Sequence, residues 1–169
     1  IKINDTVGEV TDIKVLTTRL RSMKNEEVVI PNTTVLNGAV TNYSTLAKQE
    51  GLLLHTSVGI GYETPWRQVE AMLKQAADQT GGLLKKPKPF VLQTELGDYA
   101  VNYEINAYCA DARNLPHIYA ALHRNIQDIF NEYGVAIMTP SYMADPDEPK
   151  VVPKDLWYAP PAKPPAGAE

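Results

Sequence analysis

The chain has 169 residues, 44% hydrophobic and 21% charged, the proportions of one or two ordinary globular domains. With 16 basic and 20 acidic side chains the balance is slightly acidic, which argues against nucleic acid as the main partner, because phosphate binding needs a clustered basic face. The single cysteine, Cys109, excludes an internal disulfide, and no stretch approaches the ~20 apolar residues of a membrane-spanning helix.

Residues 1–46 read as all-β. The chain opens on Ile1-Lys2-Ile3, without Met and already strand-like, so we expect the natural polypeptide to begin upstream. Val7, Val10, Ile13 and Val15-Leu16 set apolar positions over a polar background, and Thr17, Thr18, Leu20 and Arg21 continue in β-compatible types. Gly8 stands where a bulge or a close backbone approach is expected. Residues 23–27 read as a turn, and Val28-Val29-Ile30 as a short strand ended by Pro31, which fixes φ and removes a donor. Asn32 tolerates left-handed turns and can bond its own backbone, so Pro31-Asn32 reads as a turn that fixes the β domain rather than a ligand site. The polar run 48–51 is a candidate boundary.

Residues 52–142 change character. Leu52 to Ile60 reads as a strand, and Thr64-Pro65 starts a helix with Thr as N-cap and Pro at the first helical position. Trp66, Val69, Leu73, Ala76 and Ala77 follow at helical spacing until Gly81-Gly82. Phe90–Leu96 and Tyr99–Cys109 read as strands joined at Gly97-Asp98. Asn114-Leu115-Pro116 opens a second amphipathic helix whose apolar stripe is Leu115, Ile118, Tyr119, Leu122, Ile126, Ile129, Phe130 and Tyr133, ended by Gly134. Residues 135–138 read as a last strand. The order β-α-β-β-α-β is the split βαβ pattern of ferredoxin-like folds, so the expected class is α+β. Residues 143–169 hold seven prolines and read as an extended tail, with Leu156-Trp157-Tyr158 docked on a surface.

A β segment of ~46 residues lies near the size limit for independent folding, and its strands have edges that need cover. The next domain, neighbouring identical copies, or both would supply it, and a homo-oligomeric ring would do so by symmetry.

Four short motifs occur in register: Gly8-Glu9-Val10-Thr11-Asp12-Ile13, Thr18-Arg19-Leu20-Arg21, Val29-Ile30-Pro31-Asn32 and Asn42-Tyr43-Ser44. Together they resemble the Sm-like β domain of small-conductance mechanosensitive (MscS-like) channels. Val58-Gly59-Ile60-Gly61-Tyr62-Glu63-Thr64, Leu96-Gly97-Asp98 and Gly134-Val135 are similar to that family's α/β domain. The resemblance covers about residues 1–142. It implies upstream transmembrane helices that gate under tension, a heptameric ring of β domains, and a hollow cytoplasmic cage whose side portals pass ions and small solutes. On that likeness the protein is placed at the cell membrane, with this chain on the cytoplasmic side. The family's pore helix has no counterpart here, so no gating residue is assigned. Met138 replaces the first proline of the family's I-P-x-P while Pro140 keeps the second, and the Pro-rich tail differs from a short barrel-closing strand.

Chemistry-bearing residues are sparse. His117 and His123 lie about 240° apart around their predicted helix and cannot share a metal face. His55 is isolated, and Cys109 reads as a buried structural thiol. Gly59-Ile60-Gly61 lacks the third glycine of a dinucleotide loop, and Lys85-Lys86-Pro87-Lys88 reads as a solvated loop. No catalytic residue, cofactor or metal is expected, and the chain is not read as an enzyme. Glu63, Asp98 and Asp111 are candidate portal charges, because charged rings tune ion passage. Two other function classes compete. One is an RNA-binding module, for which Tyr99 and Tyr103 would have to present an aromatic sheet face. The other is a small-molecule regulatory domain.

Overall fold

A computed structural model describes residues 1–138 and 152–163. The chain divides into two compact units, Ile1–Leu52 with Ala110–Arg113, and Leu53–Cys109 with the chain from Asn114 on.

The first unit is built on a five-stranded antiparallel sheet. Its strands are β1 (Lys2–Ile3), β2 (Thr6–Ile13), β3 (Thr17–Ser22), β4 (Glu27–Pro31) and β5 (Val40–Thr41), in spatial order β4-β3-β2-β1-β5. Pairing of Val10 with Leu20, and of Leu20 with Val28, puts one apolar residue per strand in line across the sheet. The period-2 alternation turns Thr18 and Leu20 inward, and Ile3, Leu20 and Ile30 form the core. A bulge between Val10 and Asp12 breaks the β2–β3 register. Gly8 lies inside β2, and a Cβ there would stand 2.7 Å from the Arg21 carbonyl oxygen, so the close approach is at Gly8 while the bulge comes after it.

The all-β reading of residues 1–46 needs one correction. Asn32–Asn37 form a short helix, α1. Pro31 is the last residue of β4, with φ −59°, a value compatible with a helix entrance. Val35 on this turn packs against the Ile3–Leu20–Ile30 cluster, and that burial outweighs the weak helix propensity of Asn32-Thr33-Thr34.

The second unit contains β6 (Leu52–Ile60), α2 (Trp66–Gln79), β7 (Phe90–Leu96), β8 (Val101–Cys109) and α3 (Leu115–Glu132). The strands lie in the order β6-β8-β7. Ile137 pairs antiparallel with Ile60, and the Met138 N–H donates to the Gly59 carbonyl at 2.9 Å, so the chain returns beside β6. Among the described residues the expected last strand is this single bridge, and Pro140 lies outside them. With its helices and antiparallel sheet, this is the α+β arrangement expected from the element order.

The odd-numbered residues of β8, from Val101 to Cys109, are all buried. α2 covers this sheet with Val69, Met72, Leu73 and Ala76, and α3 packs on α2 with Ile118, Leu122, Ile126, Ile129 and Phe130 inside. Each fully buried Leu, Ile or Phe contributes about 1.5–3 kcal/mol, so this double stripe dominates the unit's stability. The Asn125 amide donates to the Thr80 hydroxyl at 2.8 Å, tying α3 to the end of α2. α3 stops at Gly134, whose φ of +67° lets the Val135 N–H return to the Phe130 carbonyl. α2 starts one residue later than the sequence suggests: Pro65 holds the cap position, and no side chain caps the helix. In the tail, Lys154–Leu156 form one 3-10 turn, and residues 143–151 and 164–169 lie outside the described residues.

Candidate functional site

The motif residues of the β unit do three different things. Leu20 is fully buried and Thr18 nearly so. Arg21 donates to Glu9 at 2.9 Å across the β2–β3 pair, and Glu9 also pairs with Arg113. The Arg21 hydrogen bond holds the Glu9 carboxyl below its usual range, desolvation works against it, and Arg113 adds a second attraction. Val10 and Ile13 lie outside the core, with Ile13 71% exposed. Asn42 accepts hydrogen bonds from the backbone of Ser44 and Thr45 and so shapes the turn after β5.

Asn32 is the most connected of these residues. Its side-chain nitrogen donates to the carbonyls of Lys14 (2.8 Å) and Val15 (3.0 Å), and its oxygen accepts from the Thr18 hydroxyl (2.8 Å). Its backbone N–H reaches the Leu16 carbonyl at 2.9 Å. One side chain therefore closes the β2–β3 turn against the end of β4. The sequence suggested that Asn32 bonds its own backbone, but its partners lie 14–18 residues away. Spacing alone carries no signal for that.

Of the three candidate portal carboxylates, the structure brings two loops together. The Tyr62 hydroxyl donates to the Gly97 carbonyl at 2.8 Å, so the β6–α2 loop carrying Glu63 meets the β7–β8 turn carrying Asp98. Both carboxylates are exposed. Asp111 belongs to the first unit, where its carboxylate accepts from the Arg113 N–H at 3.0 Å.

The other candidates lie apart from these loops. His55 sits 3.2 Å from Glu104, and His123 sits 2.9 Å from the Thr56 hydroxyl. Among the described residues no group of three or more His, Cys, Asp or Glu could hold a metal. Cys109 is fully buried. Tyr103 is 2% exposed and Tyr99 57%, so the two cannot form the shared stacking face that an RNA-binding sheet requires.

The sequence singled out Trp157 and Tyr158 but missed their target. The Arg67 guanidinium lies 4.3 Å from the Trp66 ring centre, 5.5 Å from Trp157 and 4.9 Å from Tyr158. The Gln68 amide donates to the Pro160 carbonyl at 2.8 Å and fixes the tail segment beside α2. The usable signal was compositional, since the only two tryptophans of the chain are both in this cluster.

Two family models match in tandem: "Mechanosensitive ion channel, beta-domain" over residues 1–45, and "Mechanosensitive ion channel MscS, C-terminal" over residues 54–137. The chain belongs to the MscS family. An MscS family protein of Haemophilus influenzae is 28% identical over 137 residues, covering 81% of this chain and 12% of that protein. The mechanosensitive channel MscK of Escherichia coli is 25% identical over 120 residues, 68% of this chain and 10% of MscK. The closed-state crystal structure of Helicobacter pylori MscS has the same fold, with a TM-score of 0.73 and 19% identity over 88% of this chain and 58% of that one. This MscS-family chain thus spans a minor part of the curated relatives named, and no helix among its described residues is long and apolar enough to cross a membrane.

Proposed function

We propose that this chain forms the wall of the cytoplasmic vestibule of a mechanosensitive channel. Copies of it close into a homo-heptameric ring beneath a membrane domain, and ions and small solutes pass through when tension opens the pore, relieving osmotic stress. The observation that carries this reading is the tandem order of the two family matches, with the β-domain match first and the C-terminal match after it. MscK supports it by name as a mechanosensitive channel.

The surface of the β unit adds a physical reason for assembly. Its buried apolar residues are Ile3, Leu20, Ile30 and Ala47, whereas ten large apolar side chains are exposed, among them Val15 at 92%, Leu36 at 82% and Leu16 at 78%. A free monomer rarely leaves so much of a small unit's apolar surface in water, and ring neighbours would remove it. In this reading Glu63 and Asp98 supply charge along the solute path.

The test is patch recording from membranes that contain only the full-length protein, with native mass measurement of the same preparation. Tension-gated conductance and a seven-copy mass are expected. A protein of that size that conducts nothing at membrane-lytic tension would overturn the reading.

A further inference from the structure

The second unit contains a cavity of about 410 Å³ between the start of α2 and the β7–β8 pair. That size is typical of small-molecule sites, which run to roughly 300–1,000 Å³. Leu96, Val101, Pro65 and Trp157 give it apolar walls, and three unused polar features converge on it.

The first is Arg67. Among the described residues it has no carboxylate partner, and its guanidinium is held in place by the faces of three aromatic rings. Stacking leaves the N–H groups at the guanidinium edge available to a planar acceptor. The second is the N-terminus of α2, a 14-residue helix with no side-chain cap and no acidic residue in its first turn. Thr64, Pro65, Trp66 and Arg67 line the cavity there. The free amides and the positive end of the helix dipole favour an anion. The third is the Tyr103 hydroxyl. Tyr103 is 2% exposed, lines the same cavity and has no hydrogen-bond partner among the described residues. With no bond inside the chain, this hydroxyl on an otherwise buried ring is open to an acceptor placed in the cavity. The acidic side chain that acts on it, Glu70, is ion-paired with Lys74 at 3.4 Å.

We propose that this cavity binds a small monocarboxylate with an apolar or aromatic body. The carboxylate lies on Arg67 and the first amides of α2, the body rests against Leu96, Val101 and Trp157, and the Tyr103 hydroxyl donates to the ligand. Arg67 and the positive end of the helix dipole favour an anion over a cation. A phosphate dianion fits poorly, because the walls are mainly apolar and a single guanidinium faces them.

The test is saturation-transfer NMR on the full-length protein, with phenylacetate as the probe and 2-phenylethylammonium as its opposite-charge counterpart. Saturable phenylacetate binding is expected, weakened about tenfold or more in R67Q, with the ammonium compound binding far more weakly. Y103F should weaken it about threefold without lowering the unfolding temperature, because that change removes an unpartnered group. The proposal fails if phenylacetate shows no saturable signal. It fails equally if R67Q binds like the wild type, or if the ammonium compound binds as well as the acid. The readout is independent of conductance, so the site and the channel reading can fail separately.

Discussion

Thr18 donates its hydroxyl hydrogen to the side-chain oxygen of Asn32 across 2.8 Å, which joins the core face of β3 to the residue that follows β4. The same Asn32 side chain holds the Lys14 and Val15 carbonyls through its nitrogen. At about 0.5–1.5 kcal/mol net for each bond, Asn32→Ala should cost about 2–3 kcal/mol of local stability and Thr18→Val about 1. The double variant should cost less than the sum, because one bond is shared. Native-state hydrogen exchange at the Asn32 amide, which donates to Leu16, reads the effect directly. Equal exchange in N32A and wild type would show that the clip contributes nothing.

The Gly8 position makes a steric prediction with an internal control. A methyl group there meets the Arg21 carbonyl oxygen at 2.7 Å and the Leu20 Cβ at 3.2 Å, both in the paired strand, where neither can swing aside. Gly8→Ala should destabilise the β unit by about 1–3 kcal/mol. Gly81→Ala, with nothing within 4 Å of the added methyl, should leave stability within about 0.5 kcal/mol of the wild type. Thermal unfolding of the two variants side by side is the measurement, and equal midpoints would contradict the close-packing argument.

The bond from Tyr62 to Gly97 couples two loops that each carry an exposed carboxylate, Glu63 and Asp98. In an assembled channel, Glu63→Lys or Asp98→Lys should shift the reversal potential in a salt gradient toward anions and leave the opening tension unchanged. The reason is that a solvent-exposed charge acts on ions within about a Debye length of 8–10 Å, not on a distant gate. Recordings in which tension shifts as much as selectivity would contradict this division of roles. Tyr62→Phe, which removes the tie without changing charge, should leave both quantities close to wild type.

Much of the fold was readable because both helices carry uninterrupted apolar stripes. Ile118, Leu122, Ile126 and Ile129 announce α3 by spacing alone, and the structure buries all four. The run 52–60 and the strand ending at Cys109 were legible for the same reason. Helix α1 was not, because Asn32-Thr33-Thr34 favours turns and strands, and only the packing of Val35 on a core assembled from three distant strands makes the helix worthwhile. The Arg67 cluster depends on a tail segment about 90 residues away, and no local pattern encodes that distance. The Asn32 clip was half visible: the residue type suggested backbone bonding, and the fold selected the partners.

Tyr103 gives a pH prediction with a definite sign. Burial, aided by Tyr62 and Glu70, pushes its phenol up to about 12 from the ordinary value near 10. Below about pH 10 the phenol is protonated in both folded and unfolded chains, and stability does not depend on it. Between about 10 and 12 the unfolded chain loses this proton first, so it binds fewer protons than the native state and stability falls as pH rises. The loss reaches at most about 2–3 kcal/mol, since a tenfold change in a proton equilibrium is worth about 1.4, and solvent screening lowers it. Tyr103→Phe should remove this part of the alkaline decline. Phenolate absorbance should likewise lose one late-titrating group from the nine tyrosines of this chain. If the Y103F protein keeps the full decline and the late phenolate, the burial argument for Tyr103 is wrong.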